Sequence, residues 1–503
     1  MNNKESVYAV ILNVPRIAPL RPSMGTAIIK SILNDHNKSS KLFDINLDFF
    51  NTFSQTYGAE CFVEIDYWFY IGDYQIPSDA ASVLDSYVNN WCTKILEYKP
   101  EIVMISVFTW QCQQFTKLLC QAIRKHSDVK ILIGGQGMIK SENTSYNQLP
   151  VFAHELHDQQ LIDYWIQGEA EISLPDFLKN GKDSTCINTN DYSARAPMTE
   201  NILMDFSDHN ITQYQNGYTS GELPLESSRG CVRSCSFCDW PVYADGFRAK
   251  PGAKLANELI SYFNQHGVKN FYFNDALING SVKDQKIFCK ELISYYQAQS
   301  LPQRYFRYSG LFIVRPSTSF KESDFELMGQ SGADTVVIGI ETGSDRVRHD
   351  MNKQFTNADL DFTMEQCMKN SIRVYFLMIV GYPTETERDF QDTLDMLTRY
   401  RKYVVSGTIV GVNFGTTFTI GEGTPIWHNY KQLNLVGVNG HRPEDIYWMS
   451  LDNPTLTYKE RCVRRLRVQK HAVDLGYNFW KGDDQINFML QKYQQELDTW
   501  NLK

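Results

Sequence analysis

Three cysteines stand close together, at Cys231, Cys235 and Cys238, in a Cys-x3-Cys-x2-Cys run bounded by Glu226 and Trp240. Thiolates so near in sequence can grip one face of an iron–sulfur cube and leave its fourth iron without a protein ligand, whereas a closed structural zinc site takes four protein donors. An open iron can accept a small molecule as its last ligand, so the spacing points to chemistry. Two plainer readings use the same thiols: zinc completed by a remote His or Cys, and cysteines that bind nothing. Gly230 lets the chain turn sharply off a strand read at Leu223–Ser227, and Arg229 and Arg233 set positive charge beside the anionic sulfurs.

The elements that position this loop alternate in type. After it, helical spacing over Ala253–Gln265, Val282–Gln297, Phe320–Gln330, Asn357–Asn370 and Glu385–Arg401 is interleaved with strands at Asn270–Phe273, Tyr305–Ser309, Thr335–Ile340, Arg373–Val380 and Thr408–Phe414. With Leu223–Ser227 this makes six strands, a (βα)6 partial TIM barrel whose strand ends converge on one mouth. Asp275, Glu341 and the turn from Gly381 through Pro383 occupy such ends, and Glu385 is expected to cap the helix after that turn.

In this order, the cysteine loop and the strand ends resemble the radical S-adenosylmethionine (SAM) superfamily. Phe237, directly before the third cysteine, fits that pattern. Gly339-Ile340-Glu341-Thr342-Gly343 is similar to the family's Gly-x-Glu-Ser-Gly segment, and Gly381-Tyr382-Pro383-Thr384-Glu385-Thr386 to its Gly-x-Pro-Gly-Glu-Thr turn, with Thr384 replacing the second glycine. The resemblance implies a [4Fe-4S] cluster on the three cysteines and SAM chelated at the open iron. It implies SAM contacts from Phe237, Asp275 (methionyl end), Glu341 (ribose hydroxyls), Gly381 and Pro383. Reductive cleavage to a 5′-deoxyadenosyl radical then follows, fed by a flavodoxin- or ferredoxin-type electron donor.

The amino-terminal part also alternates. Strands are read at Val7–Val14, Lys41–Ile45, Ile102–Val107, Lys130–Ile133 and Ile162–Ile166, with helices at Ser23–His36 and Phe115–Lys125. Such a parallel sheet binds ligands at the carboxyl ends of its strands. Residues 51–100 interrupt it as an aromatic-rich insertion with a helix at Ala80–Tyr98. The Pro19–Gly25 segment, Ser106-Val107-Phe108 and Gly134-Gly135 resemble the binding loops of the Rossmann/flavodoxin-like cobalamin domain found in many radical SAM enzymes. Gly25, Ser106, Phe108, Gly134 and Gly135 are the implied cobalamin contacts. The Asp-x-His-x-x-Gly motif is replaced by Val14-Pro15-Arg16-Ile17-Ala18, which excludes a histidine ligand to cobalt from that loop. The alternative is a flavodoxin-like domain without corrin.

The expected organisation is therefore a cobalamin-binding-like domain at 1–180, a linker at 181–221, the partial barrel at 222–425 and a mainly helical region at 426–503. That region is aromatic-rich and carries a basic run, Lys459, Arg461, Arg464, Arg465, Arg467 and Lys470, expected to be a solvated helix face. With 503 residues, 43% hydrophobic and 13% aromatic, the chain is long enough for several cores. Its net charge of −9 disfavours nucleic acid as a partner. Neither an export signal nor an apolar span is read, so a cytoplasmic, membrane-free protein is expected, and the 11 cysteines fit reduced thiols plus one metal site. The resulting expectation is a cobalamin-dependent enzyme methylating an unactivated carbon of a small molecule or peptide. Rearrangement, cyclisation, methylthiolation and cobalamin-free chemistry are its rivals within the family, and an iron–sulfur or zinc binding protein its rival outside it.

Overall fold

The computed structural model describes residues 5–15, 20–52, 78–139, 150–190, 193, 195–199, 202–214, 221–239, 246–415, 417–437 and 442–479. The chain divides into two units, Met1–Pro224 and Leu225–Lys503. In the first, β1 (Ala9–Asn13), β2 (Ser40–Asp44), β3 (Ile102–Ser106), β4 (Lys130–Gly134) and β5 (Tyr164–Ile166) form a parallel sheet of order β2-β1-β3-β4-β5.

Strand alternation explains why β1 is apolar along nearly its whole length. Val10 and Leu12 enter a core with Ile105, Phe115 and Ile133, whereas Ala9 and Ile11 enter a second core with Ile32, Leu33 and Met104. Adjacent residues of a strand point to opposite faces, so a sheet covered on both sides needs no polar face. Ser23 caps the Met24–Asp35 helix, accepting from the Thr26 N–H. A further helix, Ser78–Leu96, falls in the expected insertion, whose residues 53–77 lie outside the described residues.

The second sheet has the order β13-β12-β11-β10-β9-β6, successive strands lying side by side. They are β6 (Glu222–Leu225), β9 (Asn270–Phe273), β10 (Arg307–Phe312), β11 (Ala333–Glu341), β12 (Arg373–Met378) and β13 (Ile409–Asn413). Between β6 and β9, β7 (Ser228–Arg229) pairs antiparallel with β8 (Arg248–Ala249) around the cysteine loop. Helices Gly252–His266, Val282–Ala298, Glu322–Ser331, Asn357–Lys369 and Glu387–Val405 fill the crossovers. β10 lies further along the chain than the Tyr305–Ser309 expectation. Its Gly310 masks the strand pattern because it is needed for packing, where an added Cβ would come 2.6 Å from the Ile278 side chain.

Beyond β13 the described chain holds a short helix, Pro425–His428, an antiparallel pair, β14 (Leu435–Gly437) with β15 (Trp448–Ser450), and the Tyr458–Asp474 helix. The basic run on that helix is a solvated face only in part: Arg467 and Lys470 are exposed and Lys459 is half-buried, but the other three turn inward. Arg461, Arg464 and Arg465 are buried, at 0%, 3% and 4% exposure. Among the described residues, no helix is long and apolar enough to cross a membrane.

Candidate active site

The cysteine loop is built on backbone contacts. The Ser236 N–H donates to the Met351 carbonyl at 3.0 Å, the Ile426 N–H donates to the Ser236 carbonyl at 2.7 Å, and Asn352 Nδ2 donates to the Ser234 carbonyl at 2.9 Å. Cys238 N–H donates to the Cys235 carbonyl, closing a turn between two thiols, and Gly230 adopts φ +84° where any Cβ would strike the Gly246 carbonyl. All three cysteines are free thiols, Cys235 being buried and the others partly exposed. Among the described residues, no three His, Cys, Asp or Glu converge to hold a single metal ion.

Two strand-end features, Glu341 after β11 and the Gly381–Pro383 turn after β12, gather beside this loop. Glu341 ends β11 with φ +67°, is 7% exposed, and accepts from Lys353 Nζ at 2.9 Å. Burial pulls the Lys353 ammonium down, but Glu341 and the Cys235 and Cys238 thiols outweigh it and hold it above its ordinary value. Burial likewise pushes the Cys235 thiol up, while Lys353 and Arg233 pull the other way. Phe237 packs with Tyr382, Met351, Ile426 and Trp448 in one apolar cluster. The hydroxyls of Ser236 and Tyr382 are 2.8 Å apart, joining the cysteine loop to the Gly381–Pro383 turn. Gly381 has φ +82°.

Two acidic residues sit differently from the simplest expectation. Asp275 is 3% exposed and its carboxylate accepts from the Ser227 backbone and hydroxyl. With its N–H so engaged, Ser227 cannot extend β6, which therefore stops at Leu225 instead of reaching Ser227. Glu385 does not cap the next helix. Thr386 and Asp389 form the capping box of Glu387–Val405, and Glu385 is instead 1% exposed and paired with Arg464.

In the first unit the strand order reverses between β1 and β3, the place where such sheets bind ligands. Ser106 ends β3 and pairs in register with Gly134 of β4. A Cβ built on Gly25 would meet nothing nearer than Ser106 Oγ at 3.9 Å, so the helix start leaves open room beside Ser106. Gly135 has φ +114°, and a Cβ there would come 2.4 Å from the Val107 carbonyl oxygen. Phe108 is 55% exposed just past β3, a large apolar ring at a ligand-binding edge. Gly25, Ser106 and Gly134 thus meet at the carboxyl end of β3, with Phe108 exposed just beyond it.

Sequence reasoning missed several site residues. Asn13 ends β1, is 3% exposed, donates to Asp44 at 3.0 Å, and its Oδ1 has no partner among the described residues. Asp44 also accepts from Tyr214, and burial drives its carboxyl above the ordinary range. Asn13 was readable only as the single polar residue closing an apolar strand. Lys353 and Arg464 carried no signal, since their partners lie in other elements. The residues 16–19 of the first loop lie outside the described residues.

The radical SAM superfamily signature matches residues 225–397. The chain is 22% identical over 314 residues to a tRNA-2-methylthio-N(6)-dimethylallyladenosine synthase of Thermotoga petrophila, covering 58% of this chain and 66%, just under two thirds, of that protein. Among solved structures it resembles the radical SAM methyltransferase TsrM of Kitasatospora setae, solved with cobalamin and a [4Fe-4S] cluster, with a TM-score of 0.59 and 15% identity over 90% of this chain and 84% of that one. The cobalamin-dependent radical enzyme OxsB, solved with aqua-cobalamin, gives a TM-score of 0.62 and 15% identity over 92% of this chain and 66% of that one. The chain thus carries a radical SAM domain within the fold shared by TsrM and OxsB.

Proposed function

We propose that this protein is a cobalamin-dependent radical SAM enzyme that methylates an unactivated carbon of a small molecule or peptide. The observation that carries the reading is the presence, in one chain, of a three-cysteine loop joined through Ser236 to Tyr382, with Glu341 acting on Cys235, and of a parallel sheet whose switch point carries Gly25 beside Ser106. When bound, the cluster supplies the electron that breaks the C5′–S bond of SAM, and the corrin supplies the methyl group.

This chain's residues bind and orient. Cys231, Cys235 and Cys238 hold three corners and leave one iron open. Glu341, fixed by Lys353, accepts from the ribose hydroxyls, while Phe237 and the Gly381–Pro383 turn wall the adenosyl group. Asp275 acts through Ser227 on the loop itself. Gly25, Ser106, Phe108, Gly134 and Gly135 line the corrin crevice, with Asn13 Oδ1 as a spare acceptor. The electron comes from a flavodoxin- or ferredoxin-type donor, and a reduced cytoplasm suits the free thiols.

The curated methylthiotransferase relative favours methylthiolation as a second reading. Such enzymes usually carry a further cysteine cluster in the amino-terminal domain. Among the described residues of the first unit, Cys92, Cys112 and Cys120 are sunk in an apolar core, while Cys186 is partly exposed and outside that core. The test is anaerobic reconstitution with iron, sulfide and hydroxocobalamin, followed by reduction with SAM carrying a mass-labelled methyl group in a cell extract. Retained corrin, 5′-deoxyadenosine and a labelled product support the proposal. A protein that forms 5′-deoxyadenosine but retains no corrin supports the second reading.

A further inference from the structure

The Gly381–Pro383 turn is gripped by the carboxyl-terminal tail of the same unit. Arg464 Nη1 donates to the Glu385 carbonyl oxygen and to Glu385 Oε1, both at 3.0 Å, and that Oε1 accepts the Gly381 N–H at 3.2 Å. Three residues earlier, Arg461 lays its stem across Gly381, where a Cβ would come 2.6 Å from Arg461 Cγ. The Arg461 guanidinium lies 3.7 Å from the centre of the Trp448 ring and donates to the Ile446 and Trp448 carbonyls. Asn453 Nδ2 donates to the Pro383 and Glu385 carbonyls at 3.3 and 2.9 Å.

A buried Arg–Glu pair is a weak device for stability, because an apolar pair of similar volume does as well. An apolar side chain at 385 cannot accept the N–H of a glycine held at φ +82°. The carboxylate therefore has a use specific to the turn, and Arg464 keeps that carboxylate in place. We infer that Glu385 is a positioning residue for SAM binding, its side-chain oxygen holding the Gly381 amide and so setting the geometry of the adenosyl wall. The inference rests on the reading that this turn binds SAM.

Two double variants separate positioning from mere packing, and both remove the buried charge pair so that neither leaves an orphaned ion. Arg464→Met with Glu385→Gln keeps an acceptor for Gly381. Arg464→Met with Glu385→Met removes it. The readouts are the SAM dissociation constant of the anaerobically reconstituted protein, by equilibrium dialysis, and amide hydrogen exchange of the 379–386 peptide without SAM.

The Met/Met variant is expected to bind SAM about tenfold more weakly and to exchange about tenfold faster, as for loss of one hydrogen bond, while the Met/Gln variant stays within about threefold of the parent. Equal SAM affinity and equal exchange in the two variants, with iron content matched, would overturn the inference. If the parent binds no SAM, the reading of the turn as a SAM site fails, and the inference fails with it. A parent that binds SAM while the two variants match isolates the failure to the contact between Glu385 and the Gly381 amide.

Discussion

Ser227 donates its backbone N–H to both carboxylate oxygens of Asp275, at 2.9 and 2.8 Å, and its hydroxyl to one of them. The first residue past Glu226 is thereby tied to the end of the neighbouring strand just before the chain enters the cysteine loop. Burial raises the Asp275 carboxyl well above its ordinary value, while Ser227 pulls it down. Asp275→Ala leaves two donors buried without an acceptor, which costs about 1–3 kcal/mol. It should lower the iron retained after reconstitution, with Asp275→Asn intermediate, and leave SAM affinity per cluster unchanged. Full iron with selectively weakened SAM binding would show instead that the carboxylate touches the ligand.

Replacing Cys231, Cys235 or Cys238 with Ala removes one of three thiolate corners, and a cube cannot use the backbone in its place. Each variant should give no 5′-deoxyadenosine on reduction with SAM, assayed by chromatography. Each should still take up hydroxocobalamin, since the crevice glycines belong to the other unit. Cleavage retained in all three would remove the cluster assignment.

At the crevice, Ser106→Trp places a ring in the open room beside Gly25, whereas Gly135→Ala forces a Cβ onto the Val107 carbonyl at an unfavourable φ. The first should reduce corrin retention, read from visible absorption after gel filtration, without lowering the unfolding midpoint. The second should lower that midpoint as well, by strain on the order of 1–3 kcal/mol. Corrin uptake equal to the parent's in Ser106→Trp would place the ligand elsewhere.

The features legible in the sequence are those that depend on near neighbours. The cysteine spacing and the strand–helix alternation of the two parallel sheets are set within a turn or a strand of one another. What escaped reading depends on partners far along the chain. The arginines at 461, 464 and 465 look like a solvated stripe because charge alone does not name Trp448 or Glu385 as its destination. Glu385 looks like a cap for the same reason: a carboxylate before a helix has a local use, and the guanidinium that claims it lies 79 positions on. The early end of β6 is likewise decided by Asp275, a residue just past the end of β9.

Glu385 also makes stability depend on pH in a direction opposite to that of most carboxylates. Burial drives its carboxyl up to about 7, against the downward pull of Arg464 and the Gly381 N–H, and Asp389 adds to the rise. Its folded value lies above the ordinary 4.5, so the folded protein keeps a proton that the unfolded chain releases. The contribution is full below about pH 4.5 and fades as pH climbs through about 7, amounting to roughly 3 kcal/mol across that window. The neighbouring Asp389 charge stays constant, because Arg346, Thr386 and Ser344 hold its carboxyl well below the ordinary range despite its partial burial. Glu385→Gln keeps an acceptor for Gly381 but cannot titrate. Between pH 5 and pH 8, urea unfolding should therefore show the parent losing stability relative to Glu385→Gln as pH rises. Parallel curves for the two proteins would mean that Arg464 keeps Glu385 ionised throughout, and that the pair is a permanent ion bridge.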